Sequence, residues 1–536
     1  MKRKLCCGLL ICAALGLSGF TSTVESADEL GKIKAATYYS DEWVINFWNS
    51  ETNDMDEELS EIRKDGFNTI IVCVPWREFQ PLTVGGAYND YAFEKLERVM
   101  KSAERNGLKV MLRLGYTWDY YDESDILKRY EELLYKTTTQ NAWLSYAEKV
   151  YDTVSKYPSY AGAFLTWEDF WNFISVAENL TEGYNARSMA RATGYADYAI
   201  ENYSLEELTE LHGKKIYKEL IAFPEKDTDA YRIFLEFYDD WLNQLLEKTQ
   251  EVFPDLSMEV RLDMDSYGFA NEDEPDGGKK GFTHETTYGC GNASYSANML
   301  SANMGFGTAG ELLEAKSTAA MSEQILKRHA AGAGKPIFCD QFLFTDNTPG
   351  FEDNARLDDS EIDEYLRLMG PVFDENTIGY GVWTYRDYAD NIVYNSQFAL
   401  DLKGWKHYGG VSVETVEGTK MCRMNAGSTL TQELGTRNYI SSENTKISMR
   451  VKADSEANIR IRLGQTETVV PVSGEMTVNI GLPKQERSTL SIHTDKDILI
   501  DDIKVYSHIT RAGIYTEDGE EGAHLEAIRE LNERLE

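Results

Sequence analysis

From about Ala35 to Tyr388 the chain alternates short apolar, β-rich runs with amphipathic stretches whose apolar residues recur at the 3.6-residue spacing of a helix. The run Thr69-Ile70-Ile71-Val72-Cys73-Val74 is almost continuously apolar, the pattern of a strand buried on both faces, and Pro75 ends it. Further strands are predicted at Ala36–Tyr39, Lys109–Leu114, Ala161–Thr166, Ser257–Leu262, Pro336–Cys339 and Ile378–Trp383, with a sixth in chain order inside Ala293–Asn303. Between them fall helices such as Met55–Asp65, where Leu59 and Ile62 share a face before Gly66, Tyr91–Asn106 before Gly107, and Trp143–Lys156. A long helical insertion, roughly Ala177 to Phe253, precedes the fifth strand.

Eight strand-helix units in one stretch predict an α/β fold, a (β/α)8 TIM barrel with insertions. An open doubly wound sheet would need a Gly-x-Gly-x-x-Gly fingerprint after its first strand, and none is there. Beyond Asp390 the helical period gives way to short alternating runs at Lys446–Val451, Asn458–Leu463, Glu467–Val472, Met476–Ile480 and Ile498–Tyr506. That spacing predicts a small all-β, jelly-roll-like sandwich. Leu525, Ile528, Leu531 and Leu535 mark one closing helix lying on a neighbouring surface.

The first residues change the cellular picture. Lys2, Arg3 and Lys4, the apolar run Leu5–Leu17 and the small residues near Ser26-Ala27 have the layout of a secretory signal, too short to span a bilayer and with no lipobox cysteine. The expectation is a secreted, extracellular bacterial protein, with no membrane insertion after signal cleavage. The expected organisation is a signal peptide at 1–27, a barrel at 28–390, a β-sandwich at 391–508, and a tail with an amphipathic helix at 509–536.

Cleavage near Ser26 removes three positive charges and one negative, moving the net charge from −36 to −38. Such a surface repels nucleic acid and anionic membranes but not neutral glycans. Of seven cysteines, Cys6, Cys7 and Cys12 lie in the signal; Cys73, Cys290, Cys339 and Cys422 are far apart, without metal-type spacing, and read as buried thiols. No metal and no cofactor are expected, and the chain is expected to be a monomer. The 32 tyrosines supply flat amphipathic surfaces for sugar rings, although any single one is as readily a core residue.

In a (β/α)8 barrel the reacting groups gather at the C-terminal ends of the strands. The fourth strand delivers Thr166-Trp167-Glu168-Asp169-Phe170-Trp171, a carboxyl enclosed by large aromatics, which raises its pKa toward that of a general acid. The fifth ends in Asp263-Met264-Asp265; Asp263 and Asp265 share a side and could orient sugar hydroxyls, bind a cation or form a structural salt bridge. The seventh ends in Asp340-Gln341-Phe342, and Arg113 closes the third.

These motifs resemble the (β/α)8 clan of retaining glycoside hydrolases that contains the family-5 cellulases and mannanases. Gly162 through Asp169 follow the clan's Gly-x-x-x-x-Asn-Glu-Pro, with Glu168 in the acid/base position, Trp167 in place of Asn and Asp169 in place of Pro. Lys335-Pro336-Ile337-Phe338-Cys339-Asp340-Gln341-Phe342 is similar to Lys-Pro-Ile-x-x-x-Glu-Phe, with Gln341 at the nucleophile position. Trp383 matches the eighth-strand Trp that floors a sugar subsite.

An amide cannot be the covalent nucleophile. Asp340 could substitute if the strand ends in a bulge, a substrate acetamido group could attack in its place, or the barrel has lost hydrolysis and only binds glycan. Asn395-Ser396-Gln397-Phe398, Leu402-Lys403-Gly404-Trp405 and Ile500–Tyr506 resemble the ends of a carbohydrate-binding jelly roll, with a purely bracing sandwich as the alternative. The resemblance implies a hydrolase acting on extracellular poly- or oligosaccharide. The expected site has Glu168 and Asp340 in catalysis, and Trp167, Gln341, Trp383, Asp263, Asp265 and Arg113 in substrate binding.

Overall fold

The computed structural model describes residues 31–117, 123–166, 169–170, 184–225, 228–260, 291–301, 310–348, 352, 354–434, 445–483 and 488–535. Eight parallel strands close into a barrel in the order β1-β8-β7-β6-β5-β4-β3-β2. They are β1 (Ile33–Thr37), β2 (Thr69–Val74), β3 (Lys109–Leu114), β4 (Tyr160–Thr166), β5 (Ser257–Val260), β6 (Ser296–Ser301), β7 (Ile337–Leu343) and β8 (Gly379–Val382). The expected TIM barrel is therefore present. Its first strand lies earlier than the predicted Ala36–Tyr39, because Lys34, polar in sequence, is buried with its ammonium donating to the Asn532 carbonyl at 3.0 Å.

The strand register stacks the interior side chains in layers of four taken from alternate strands. Ala35, Met111, Ser257 and Phe338 form one layer, and Ile71, Phe164, Ala297 and Gly381 the next toward the C-terminal face; their apolar members pack together. The layer above holds Thr37, Arg113, Glu259 and Asp340, all buried. Gly381 is required by the packing, since a Cβ there would stand 2.5 Å from Ile71 Cδ1. The barrel filling thus changes from hydrocarbon to charge just below the mouth.

β7 contains a bulge. Ala297 faces Phe338 but Met299 faces Gln341, and Tyr380 faces Cys339 while Val382 faces Phe342, so β7 carries one residue more than either neighbour. Phe338 points inward and Phe342 outward, against Tyr365, Phe373 and Tyr380. The extra residue lets both Asp340 and Gln341 turn toward the interior.

The second β region is antiparallel: β9 (Lys406–Tyr408), β10 (Val411–Val416), β11 (Thr419–Met424), β12 (Thr429–Leu434), β13 (Thr445–Leu463), β14 (Thr466–Leu482), β15 (Ser488–Thr494) and β16 (Ile498–Tyr506). The runs predicted separately at 446–451 and 458–463 are one strand, β13, and those at 467–472 and 476–480 are one partner, β14; the register breaks between Ala453 and Ala457. The first half of β13 pairs with β16 and the second with β15.

The loop after β1 joins barrel to sandwich. Gln397 Nε2 donates to Glu42 at 2.9 Å, Asn395 N to Asn49 Oδ1 at 2.9 Å, and Lys420 N to Glu51 at 2.9 Å, while Lys504 lies 3.4 Å from Asp41. Buried Lys95 pins this loop from below by donating to the Phe47 carbonyl, the Ser50 carbonyl and Thr52 Oγ1. After the sandwich the chain returns to the barrel, where helix Leu525–Arg534 packs on helix Ile362–Asn376. No helix among the described residues is long and apolar enough to cross a membrane.

Candidate active site at the barrel mouth

Arg113 leaves the end of β3 and is 2% exposed. Its Nε donates to Asp169 Oδ2 at 2.9 Å and its Nη1 to Gln341 Oε1 at 2.7 Å, linking the third, fourth and seventh strands across the interior. Asp169 is fully buried, and its remaining acceptor capacity is used locally. Thr166 Oγ1 donates to Oδ2 at 2.6 Å, and the Thr117 amide donates to Oδ1 at 3.2 Å. The Asp169 amide in turn donates to Thr166 Oγ1 at 3.1 Å, the reciprocal arrangement of a Thr-x-x-Asp turn. A buried guanidinium with a carboxylate partner and further hydrogen bonds on both sides is a rigid element, whereas either charge alone would be strongly disfavoured there.

Aromatic rings surround this ion pair. The Arg113 guanidinium carbon lies 5.1 Å from the ring centre of Tyr116 and 5.7 Å from that of Trp383, both within cation–π range. Trp383 continues from β8, is 9% exposed, and meets Tyr39 edge-on at 5.7 Å. Burial raises the Tyr39 hydroxyl well above its ordinary pKa, so it stays protonated, within 3.0 Å of the Cys73 sulfur. Trp43 extends the aromatic rim, with Tyr388 at 4.8 Å and Tyr116 at 5.8 Å.

Of the residues singled out in the sequence, Arg113, Gln341 and Trp383 converge. Asp340 is 2% exposed and belongs to the interior layer with Arg113 and Glu259, beneath the level of Trp383. Trp167, Glu168, Asp263 and Asp265 lie outside the described residues. Sequence reasoning missed Asp169 as the partner of Arg113, although the Thr-x-x-Asp spacing was a usable signal. It also missed Glu259, a carboxyl within a fully buried strand. The described cysteines Cys73, Cys339 and Cys422 are buried free thiols. Among the described residues no group of three or more His, Cys, Asp or Glu is placed to hold a metal ion. What the arrangement offers chemically is a fixed amide, a shielded cation and aromatic walls.

No protein-family model matches this chain, and no curated protein sequence does. Solved structures with a similar fold include the exo-β-1,4-mannosidase Op5Man5 from Opitutaceae bacterium strain TAV5, at 13% identity over 67% of this chain and 53% of that one, with a TM-score of 0.40. A GH5_18 protein from Bifidobacterium longum subsp. infantis matches at 13% identity over 67% and 70%, TM-score 0.41. The β-galactosidase from the psychrophilic Marinomonas ef1 matches at 11% identity over 66% and 54%, TM-score 0.46. The chain thus spans about half the length of the mannosidase and of the galactosidase. The barrel assignment stands on the strand register of this chain, independently of these likenesses.

Proposed function

We propose that this protein is a secreted glycoside hydrolase acting on O-glycosidic bonds of an extracellular polysaccharide, with Glu168 as general acid and Trp383 as a stacking surface for a sugar ring. The observation that carries the reading is the convergence of Arg113, Gln341 and Trp383 at the C-terminal end of the barrel, inside a rim of aromatic side chains. Stacking on such rings together with a few fixed hydrogen-bonding groups suits neutral sugars. Asp340, turned inward by the β7 bulge, is the candidate second carboxylate, and the β-sandwich keeps glycan near the barrel.

A second reading is favoured by one specific feature. Gln341 stands where a retaining enzyme carries its nucleophile, and its carbonyl oxygen is already engaged by Arg113. On that reading the barrel is a lapsed enzyme that binds glycan or assists polysaccharide assembly.

Assays over β-glucans, mannans, xylans and N-acetylhexosamine polymers separate the two. Wild-type hydrolysis reduced roughly 10²- to 10⁴-fold by Glu168→Gln, the range for loss of a general acid, supports the enzyme. Activity that appears only in Gln341→Glu supports the lapsed barrel. Wild-type activity that Glu168→Gln leaves intact removes Glu168 from catalysis.

A further inference from the structure

A guanidinium has donors only. The atom of Gln341 that faces Arg113 Nη1 at 2.7 Å is therefore its carbonyl oxygen, which fixes the orientation of the amide. Nε2 must point the other way. Nothing among the described residues accepts a hydrogen bond from it, and Gln341 as a whole is only 5% exposed.

This donor is held in place from behind. Gln341 is fixed by Arg113, Arg113 by Asp169, and Asp169 by Thr166 and Thr117. From the neighbouring strand, Trp383 hydrogen-bonds through its backbone amide to the Phe342 carbonyl at 3.1 Å. The bulge in β7 thus delivers a braced N–H donor on the strand next to the one that carries Trp383.

A donor in this position asks for an acceptor on the ligand. A sugar carboxylate is disfavoured, because it would approach the buried carboxyls of Asp169, Glu259 and Asp340. A ring hydroxyl is a modest acceptor that must also place its own proton. An amide carbonyl oxygen accepts only, carries no net charge, and on a 2-acetamido sugar lies next to the anomeric carbon.

Resting on the reading of the mouth as a glycan site, we propose that Gln341 is a specificity-determining residue whose Nε2 binds the acetamido carbonyl oxygen of an N-acetylhexosamine. Glutamate at this position keeps the acceptor for Arg113, removes the outward donor and adds a negative charge. It also places a carboxylate where the acetamido oxygen would sit.

The experiment is calorimetric titration of the full chain with paired trisaccharides that differ only in 2-acetamido against 2-hydroxyl, in gluco, galacto and manno series. The wild type should bind the acetamido member of one pair about tenfold tighter, the effect of one well-placed hydrogen bond. Gln341→Glu should bring the two members of that pair to equal affinity, the ratio within the pair being the readout whatever the charge does to overall affinity or melting temperature. Gln341→Met, which has neither donor nor carboxylate, provides a second test should the glutamate variant fail to fold.

Equal wild-type affinity within every pair overturns the proposal and leaves the glycan reading standing. So does a preference that survives in both variants. Absence of binding by every sugar overturns the glycan reading, and this inference with it.

Discussion

Arg113 and Gln341 meet across the barrel interior, Nη1 to Oε1 at 2.7 Å, on strands β3 and β7, which are 228 residues apart in sequence. The bond turns two residues that a sequence reading assigns separately into one element, whose rigidity comes from Asp169.

The first prediction follows from the burial of that element. Arg113→Met leaves Asp169 charged, fully buried and without its cation, and should destabilise the protein by about 3–5 kcal/mol. Arg113→Lys retains the charge but loses the fork that reaches Asp169 and Gln341 together, so it should recover part of the stability while the grip on Gln341 is lost. Urea melts of the three proteins measure the order; equal stability of wild type and Arg113→Met contradicts it.

Asp65 supports the second. It is 2% exposed and accepts from Tyr385 Oη at 2.7 Å, Tyr515 Oη at 3.0 Å and Arg529 Nε at 2.9 Å, so it ties the post-sandwich segment to the barrel. Asp65→Ala strands these three donors, each lost partner costing roughly 1–3 kcal/mol if it stays buried. The expected outcome is a lower melting temperature and faster proteolysis after residue 508. Unchanged cleavage there would show that helix Leu525–Arg534 docks without Asp65.

These two cases show what the sequence could and could not disclose. The barrel strands were legible because parallel strands covered on both faces read as apolar runs, β2 most clearly. The sandwich was legible only in part. In β13 the polar stretch Asp454-Ser455-Glu456 interrupts the alternation where the register breaks, so one bent strand reads as two. β9 to β12 and β15 mix Ser, Thr, Lys, Glu and His among few apolar residues and gave no clear period. At the mouth, Trp383 and Gln341 were found through motif spacing. The Arg113–Asp169 pair depends on two strands coming together and on a buried charge, neither of which local periodicity encodes.

The third prediction concerns pH. Burial pushes the Asp501 carboxyl up to about 7, only partly offset by Arg450, whose Nη2 lies 2.6 Å from Oδ2; Oδ1 has no hydrogen-bond partner. A folded pKa above the unfolded one means that the native state binds the extra proton. The contribution is therefore neutral below about pH 4 and becomes progressively destabilising as pH rises toward 7. The limiting slope for one such group is about 1.4 kcal/mol per pH unit. Asp501→Asn should flatten this part of the stability profile, as read from melts between pH 4 and 8. A profile identical in both proteins would mean that Asp501 titrates as it does in the unfolded chain.

The last prediction probes the layer beneath the charges. Gly381 lies opposite Ile71 in a ring of four, and a Cβ on it would meet Ile71 Cδ1 at 2.5 Å, the Asp340 carbonyl oxygen at 3.0 Å and Ala35 Cβ at 3.3 Å. Gly381→Ala should therefore cost about 1–3 kcal/mol through overpacking. Ile71→Val removes the closest of these atoms and by itself should cost about 0.5–1.5 kcal/mol as a lost methyl group in a packed core. If the layer is packed as the register implies, the double variant is more stable than the two single losses combined would make it, with a coupling of about 0.5–3 kcal/mol. Additive losses would place Gly381 away from Ile71. A full rescue is not expected, because the Asp340 carbonyl oxygen still crowds the new methyl group. That residual strain falls on the backbone that turns Asp340 and Gln341 inward, so the double variant should also bind oligosaccharide more weakly than Ile71→Val does.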